Sequence, residues 1–152
     1  MINLDQYIIP AMEAWNDEIE ISPDVREIFA KLNCFSRSTE LSYSRLSDLI
    51  EYSDNPETLT STDLRKIHKC FYNEKIAIDF FGASTPEDIA QIRKYKPVPI
   101  YSNGMGDHYC LTANLAVKEY IHDAKTYFDA PYARDYRSFS DWYNNYYKKI
   151  NN

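Results

Sequence analysis

The apolar positions along this chain change period part way through, and the change marks out its elements. Near the N-terminus Ile19 and Ile21 alternate with Glu18 and Glu20. Ser22-Pro23-Asp24 then reads as a helix start. The Ser hydroxyl accepts a free backbone N–H, Pro suits the first helical position, and an acid favours the positive end of the helix. Val25, Ile28, Phe29 and Leu32 follow at helical spacing. A second helical pattern runs from Ser44 to Glu51 with Leu46, Leu49 and Ile50 inward, and a third begins near Thr62 with Leu64, Ile67, His68 and Phe71 on one side. From Lys75 the period becomes two. Ile76-Ala77-Ile78-Asp79-Phe80-Phe81 is rich in β-formers and stops at Gly82, which predicts a strand and a turn. Ser84-Thr85-Pro86-Glu87-Asp88 opens a further helix, with Ile89 and Ile92 inward and Pro97 ending it. Three short β-prone runs follow, Val98 to Ser102, Asp107 to Ala113 and Val117 to His122. Last, Ser138-Phe139-Ser140-Asp141 resembles a capping box, and Phe139, Trp142, Tyr143, Tyr146 and Ile150 form a helical aromatic stripe that should dock on the sheet. This order predicts the α+β class: a single domain over residues 1–152, with a mixed or mainly antiparallel β-sheet packed by helices and closed by the striped helix.

A chain of 152 residues that is 44% hydrophobic has the size and apolar content of one core-forming domain, which excludes a disordered segment. No run approaches the roughly 18 apolar residues of a membrane span, and the opening MINLDQYIIPAMEAW lacks the basic and long apolar regions of a signal peptide. The expectation is a cytoplasmic protein without membrane contact. Cys34, Cys70 and Cys110 are odd in number and widely spaced, which suits reduced, buried thiols better than a disulfide framework or a zinc site.

The net charge of −6 is unevenly spread. Residues 1–60 carry twelve acids against four bases, and the remainder eleven acids against thirteen bases. Such a field repels nucleic acid from the N-terminal half and speeds encounter with a basic protein partner. Asp17, Glu18 and Glu20 are the acids expected to meet that partner.

Two of the three glycines lie in Ser102-Asn103-Gly104-Met105-Gly106. Asn-Gly is the strongest short hairpin signal, because a type I′ turn needs positive φ at both central residues, and Gly106 would supply an adjoining bulge. A phosphate-cradling loop would need a helix next and more glycines at fixed spacing, whereas the sequence after Gly106 is β-prone. Asp107-His108 and His122-Asp123 carry the residue types of metal ligands and proton carriers, yet both pairs fall at strand ends, where polar side chains serve the backbone. An enzyme reading would require Asp107, His108, Cys110, His122 and Asp123 to converge in one pocket. Ten of the fourteen tyrosines lie from Tyr95 onward, and Tyr101, Tyr109, Tyr120 and Tyr132 are candidates for a recognition patch.

Three stretches resemble the SUKH superfamily, the group of Smi/Knr-type cell-wall regulators and bacterial immunity proteins. They are Asn103-Gly104 with Gly106-Asp107 and Tyr109-Cys110-Leu111, the strand ending in His122-Asp123, and Ser138-Phe139-Ser140-Asp141-Trp142. Phe80-Phe81-Gly82 also matches a hydrophobic strand ending at glycine. The resemblance covers about half of the chain; in the N-terminal half the family's Leu-Pro helix start appears as Ser22-Pro23, and its Asn-Gly as Asn33-Cys34. It implies an α+β domain that performs no catalysis and uses no cofactor or metal, and that binds and neutralises a cognate secreted toxin inside the producing cell. A nuclease toxin, whose substrate site is basic, would suit the acidic field. The alternative it implies is a regulatory scaffold binding host proteins. The residues expected at the interface are Asp17, Glu18, Glu20, Tyr101, Asn103, Asp107, His108 and Tyr120.

Overall fold

A computed structural model of the chain describes residues 22–31, 59–102, 106–124 and 127–150. Helix α1 (Pro23–Lys31) begins where the Ser22 hydroxyl accepts the Val25 N–H at 3.3 Å, and it buries Val25 and Ile28. It packs on α2 (Ser61–Phe71). Thr60 and Asp63 form a reciprocal capping box there, and the inward face of α2 is the expected Leu64, Ile67, His68 and Phe71. The predicted helix at 44–51, the alternation at 18–21, the side chain of Phe29, Leu32 and Cys34 lie outside the described residues.

The expected strand at Lys75–Phe81 is instead a helix, α3 (Glu74–Phe81). Its cause is local. Asn73 caps it by accepting the Ile76 N–H at 3.0 Å, and Gly82, at φ +65°, ends it by returning its N–H to the last turn. Six nearly continuous apolar positions satisfy either period, and the caps decide between them. Ala77 and Phe81, four apart, are the residues that bury. Helix α4 (Pro86–Tyr95) follows as expected, capped by Thr85 and closed by Lys96 at φ 47°; Ile92 is buried and Ile89 is half-buried.

Strands β1 (Val98–Ser102), β2 (His108–Leu111), β3 (Val117–Tyr120) and β4 (Asp135–Tyr136) form one antiparallel sheet in the order β1-β2-β3-β4. Ser102 pairs with His108, so the β1–β2 connection is a hairpin, but it is longer than a two-residue type I′ turn. The bulge lies in β1, between Pro99 and Tyr101, and not at Gly106. All four β2 residues are buried because both sheet faces are covered. Tyr109 packs against Tyr146 and Trp142 on one side, while His108 packs against Phe80 and Phe81 on the other.

Ser138 caps the final helix by accepting the Asp141 N–H at 3.0 Å, while the Asp141 carboxylate accepts from the Arg137 N–H one residue before the box position. Helix α5 (Phe139–Trp142) runs through a π-helical segment (Tyr143–Tyr147) into α6 (Lys148–Ile150). The wider π turn rotates the stripe. Phe139, Trp142 and Tyr147 are buried, Tyr146 is half-buried and Ile150 faces solvent, where a continuous α-helix would have carried Tyr146 and Ile150 inward. One apolar cluster extends from Val25 to Tyr147, and each large side chain fully buried in it contributes roughly 1.5–3 kcal/mol relative to exposure.

Candidate functional site

The strand register brings the two Asp/His pairs together. His108 lies opposite Tyr120, so the residues just outside the two strand ends, Asp107 and His122, meet. Asp107 Oδ1 accepts the His122 backbone N–H at 2.9 Å and lies 2.7 Å from His122 Nδ1, while Nε2 on the far side of the ring lies 3.0 Å from Asp123 Oδ1. The hydrogen bond to Asp107, aided by the two carboxylate charges, raises the His122 pKa above the ordinary imidazole value. A ring with a carboxylate at each nitrogen favours the imidazolium, which donates at both ends and keeps no lone pair for a metal or for proton abstraction.

Gly106 is the fourth member of this clasp. Its φ is +98°, and a Cβ built on it would stand 2.9 Å from His122 Nδ1 and 3.0 Å from Cγ. The glycine is required twice, by its backbone conformation and by the imidazole lying against it.

The remaining members of the expected catalytic set lie elsewhere. His108 is 6% exposed among Phe80, Phe81 and Tyr120, and burial, the main cause, pushes its pKa down to about 4, so it is neutral at physiological pH. Cys110 is fully buried, which raises its thiol pKa well above the ordinary value and leaves little nucleophilic thiolate. The structure therefore joins Asp107, His122 and Asp123, buries Cys110 away from solvent, and turns the His108 ring into the aromatic core although Asp107 and His122 still act on it electrostatically. Among the described residues no group of three or more His, Cys, Asp or Glu side chains is placed to hold a metal ion.

Three of the eight expected interface residues are found in the core. Tyr101, His108 and Tyr120 are buried, so they offer no surface to a partner in this structure. Tyr101 is walled in by Trp142, Tyr146 and Tyr147. Tyr120 stacks on Tyr127 and donates its hydroxyl to the Phe81 carbonyl at 3.2 Å. Tyr109 is buried as well, whereas Tyr132 is 65% exposed. Asp107 is half-buried in the clasp. Asp17, Glu18, Glu20 and Asn103 lie outside the described residues.

A second feature was not anticipated from the sequence. A groove of about 570 Å³ opens between the end of α4, the β2–β3 turn and β4, with Lys94, Tyr95, Lys118 and Arg137 on its walls. Its signal is dispersed. Lys94 and Tyr95 are neighbours on a helix, Lys118 is an alternate position of a strand, and Arg137 follows a two-residue strand too short to stand out. Comparison with protein-family models, with curated proteins and with solved structures finds no match to this chain.

Proposed function

We propose that the chain is a protein-binding domain of the SUKH type, an immunity protein that captures a secreted toxin and neutralises it without catalysis. The supporting observation is the clasp. Two of the three stretches that resemble the family, Gly106-Asp107 and His122-Asp123, close on one another through backbone and side-chain hydrogen bonds. The third caps a helix whose Trp142 packs on Tyr101 and Tyr109 of the same hairpin. The motif residues thus spend their polar groups on fixing the hairpin and the closing helix, an arrangement suited to presenting a rigid surface.

The partner is a basic toxin, drawn by the acidic residues of positions 1–60. Co-expression with the toxin encoded beside it should yield a stable complex and restore growth; failure to bind any neighbouring gene product would refute the reading. Charge reversal at Asp17, Glu18 and Glu20 should slow association and flatten its salt dependence. An unchanged on-rate would move the interface elsewhere.

A further inference from the structure

The groove beside β4 collects positive charge in a chain whose net charge is −6. Lys94, Lys118 and Arg137 line it against one carboxylate, Asp135. The Lys94 and Lys118 Nζ atoms lie 4.9 and 4.8 Å from the centroid of the same Tyr95 ring. Both ammonium groups thus stand at one ring, with the Asp129 carboxylate also acting on Lys94, and an anion entering the groove can accept from their N–H donors. Among the described residues Asp135 pairs with Lys118 alone, at 3.1 Å, which leaves that ammonium further N–H donors. Among the described residues the Arg137 guanidinium makes no hydrogen bond or ion pair, although its backbone N–H is held by Asp141.

The lower wall is of a different character. Ala113, Ala116 and Tyr136 contribute apolar surface. The Asn114 side chain is occupied in the β2–β3 turn, accepting the Thr112 hydroxyl at 2.5 Å and the Ala116 N–H at 3.2 Å. The volume falls in the range of small-molecule sites, about 300–1,000 Å³.

We propose that this groove binds a small amphipathic anion. Its carboxylate or phosphate oxygens sit between Lys94, Lys118 and Arg137, and its apolar body rests on Ala113, Ala116 and Tyr136. The proposal stands independently of toxin binding.

The test is a titration of the whole chain, followed by amide chemical shifts, with phenyl phosphate, benzoate and inorganic phosphate. Saturable shifts confined to Tyr95, to residues 112–118 and to residues 135–137 are expected with phenyl phosphate, with benzoate or with both, the tighter probe identifying the oxyanion. Inorganic phosphate should bind more weakly because it lacks the apolar body. Arg137→Gln and Lys94→Gln change groups on the groove rim and leave the core intact, and each should weaken binding by roughly 3- to 10-fold. Binding by neither organic probe, shifts spread over lysines away from the groove, affinities unchanged in both variants, or inorganic phosphate binding as tightly as phenyl phosphate would each overturn the assignment.

Discussion

Replacing Gly106 by Ala tests the clasp most directly, and Gly82→Ala provides its control. Both glycines have positive φ, +65° at Gly82 and +98° at Gly106. A Cβ on Gly82 meets nothing within 4 Å, so Gly82→Ala should cost only the left-handed backbone penalty, roughly 1–2 kcal/mol, reduced somewhat by the stiffer unfolded chain. At Gly106 the backbone penalty alone is about 1–3 kcal/mol. The new methyl would also stand 2.9 Å from His122 Nδ1, closer than carbon and nitrogen approach without displacement. Carboxylates hold the imidazole at both nitrogens, so it yields only by giving up the 2.7 Å contact with Asp107. Gly106→Ala should therefore cost more than Gly82→Ala, by about 1 kcal/mol or more, with each kcal/mol lowering Tm by about 2–4 °C in a chain of this size. Urea unfolding followed by Trp fluorescence and far-UV circular dichroism measures both variants. The decisive step is the double-mutant cycle with His122→Ala, which removes the obstructing ring. The cost of Gly106→Ala should then fall towards the backbone penalty, giving a coupling of roughly 0.5 kcal/mol or more. Equal costs in the two backgrounds would refute the account of why glycine stands at this position.

Four other outcomes follow from the structure. His122 has a raised pKa in the fold, so its contribution is complete below the unfolded value of 6.5 and is lost as pH rises through the folded value. His108 behaves oppositely. With its pKa lowered to about 4, stability should fall on acidification from pH 6.5 towards 4 by roughly 3 kcal/mol, and His108→Phe should remove most of that loss in pH-dependent urea unfolding. Tyr147→Ala should cost about 3–5 kcal/mol and Ile150→Ala under about 1 kcal/mol, the reverse of what an unbroken α-helical stripe predicts. Asn73→Ala should cost about 1 kcal/mol and lower the helical Cα shifts of residues 74–81; unaltered shifts and stability would contradict the cap.

What the sequence discloses here depends on how local the cause is. Ser22, Thr85 and Ser138 cap the helices expected after them, because each cap needs only its own hydroxyl and an N–H three residues on. The inward face of α2 was equally readable from its spacing. Helix α3 carries its signals in the sequence, since Asn73 and Gly82 bracket it, but the apolar run between them fits a strand as well as a helix and hides the period. The π turn after Trp142 has no comparable local mark, since Tyr143 to Tyr147 suit either helix and the packing of Tyr147 against Trp142 goes with the wider turn. Asp107 and His122 were both recognisable as candidates, but their pairing depends on the β2–β3 register. The groove depends on β4, whose two residues carry no periodic signal at all.

The tyrosines make the same point about composition. A cluster of ten in the C-terminal part of a chain suggests a recognition surface, because a tyrosine supplies a large contact area with a polar tip. A sheet of four short strands, covered on both faces, needs the same properties for another purpose. Tyr101 and Tyr109 reach from the sheet into the rings of Trp142 and Tyr146, and Tyr120 reaches from the opposite face to Phe81 and Phe128. Burial raises the hydroxyl pKa of both Tyr109 and Tyr120, as it does for phenols held inside a fold. These aromatics are therefore committed to making a thin sheet rigid. Among the described residues, the surface that the tyrosine core supports includes Tyr132, the cationic groove and the outer edge of the clasp.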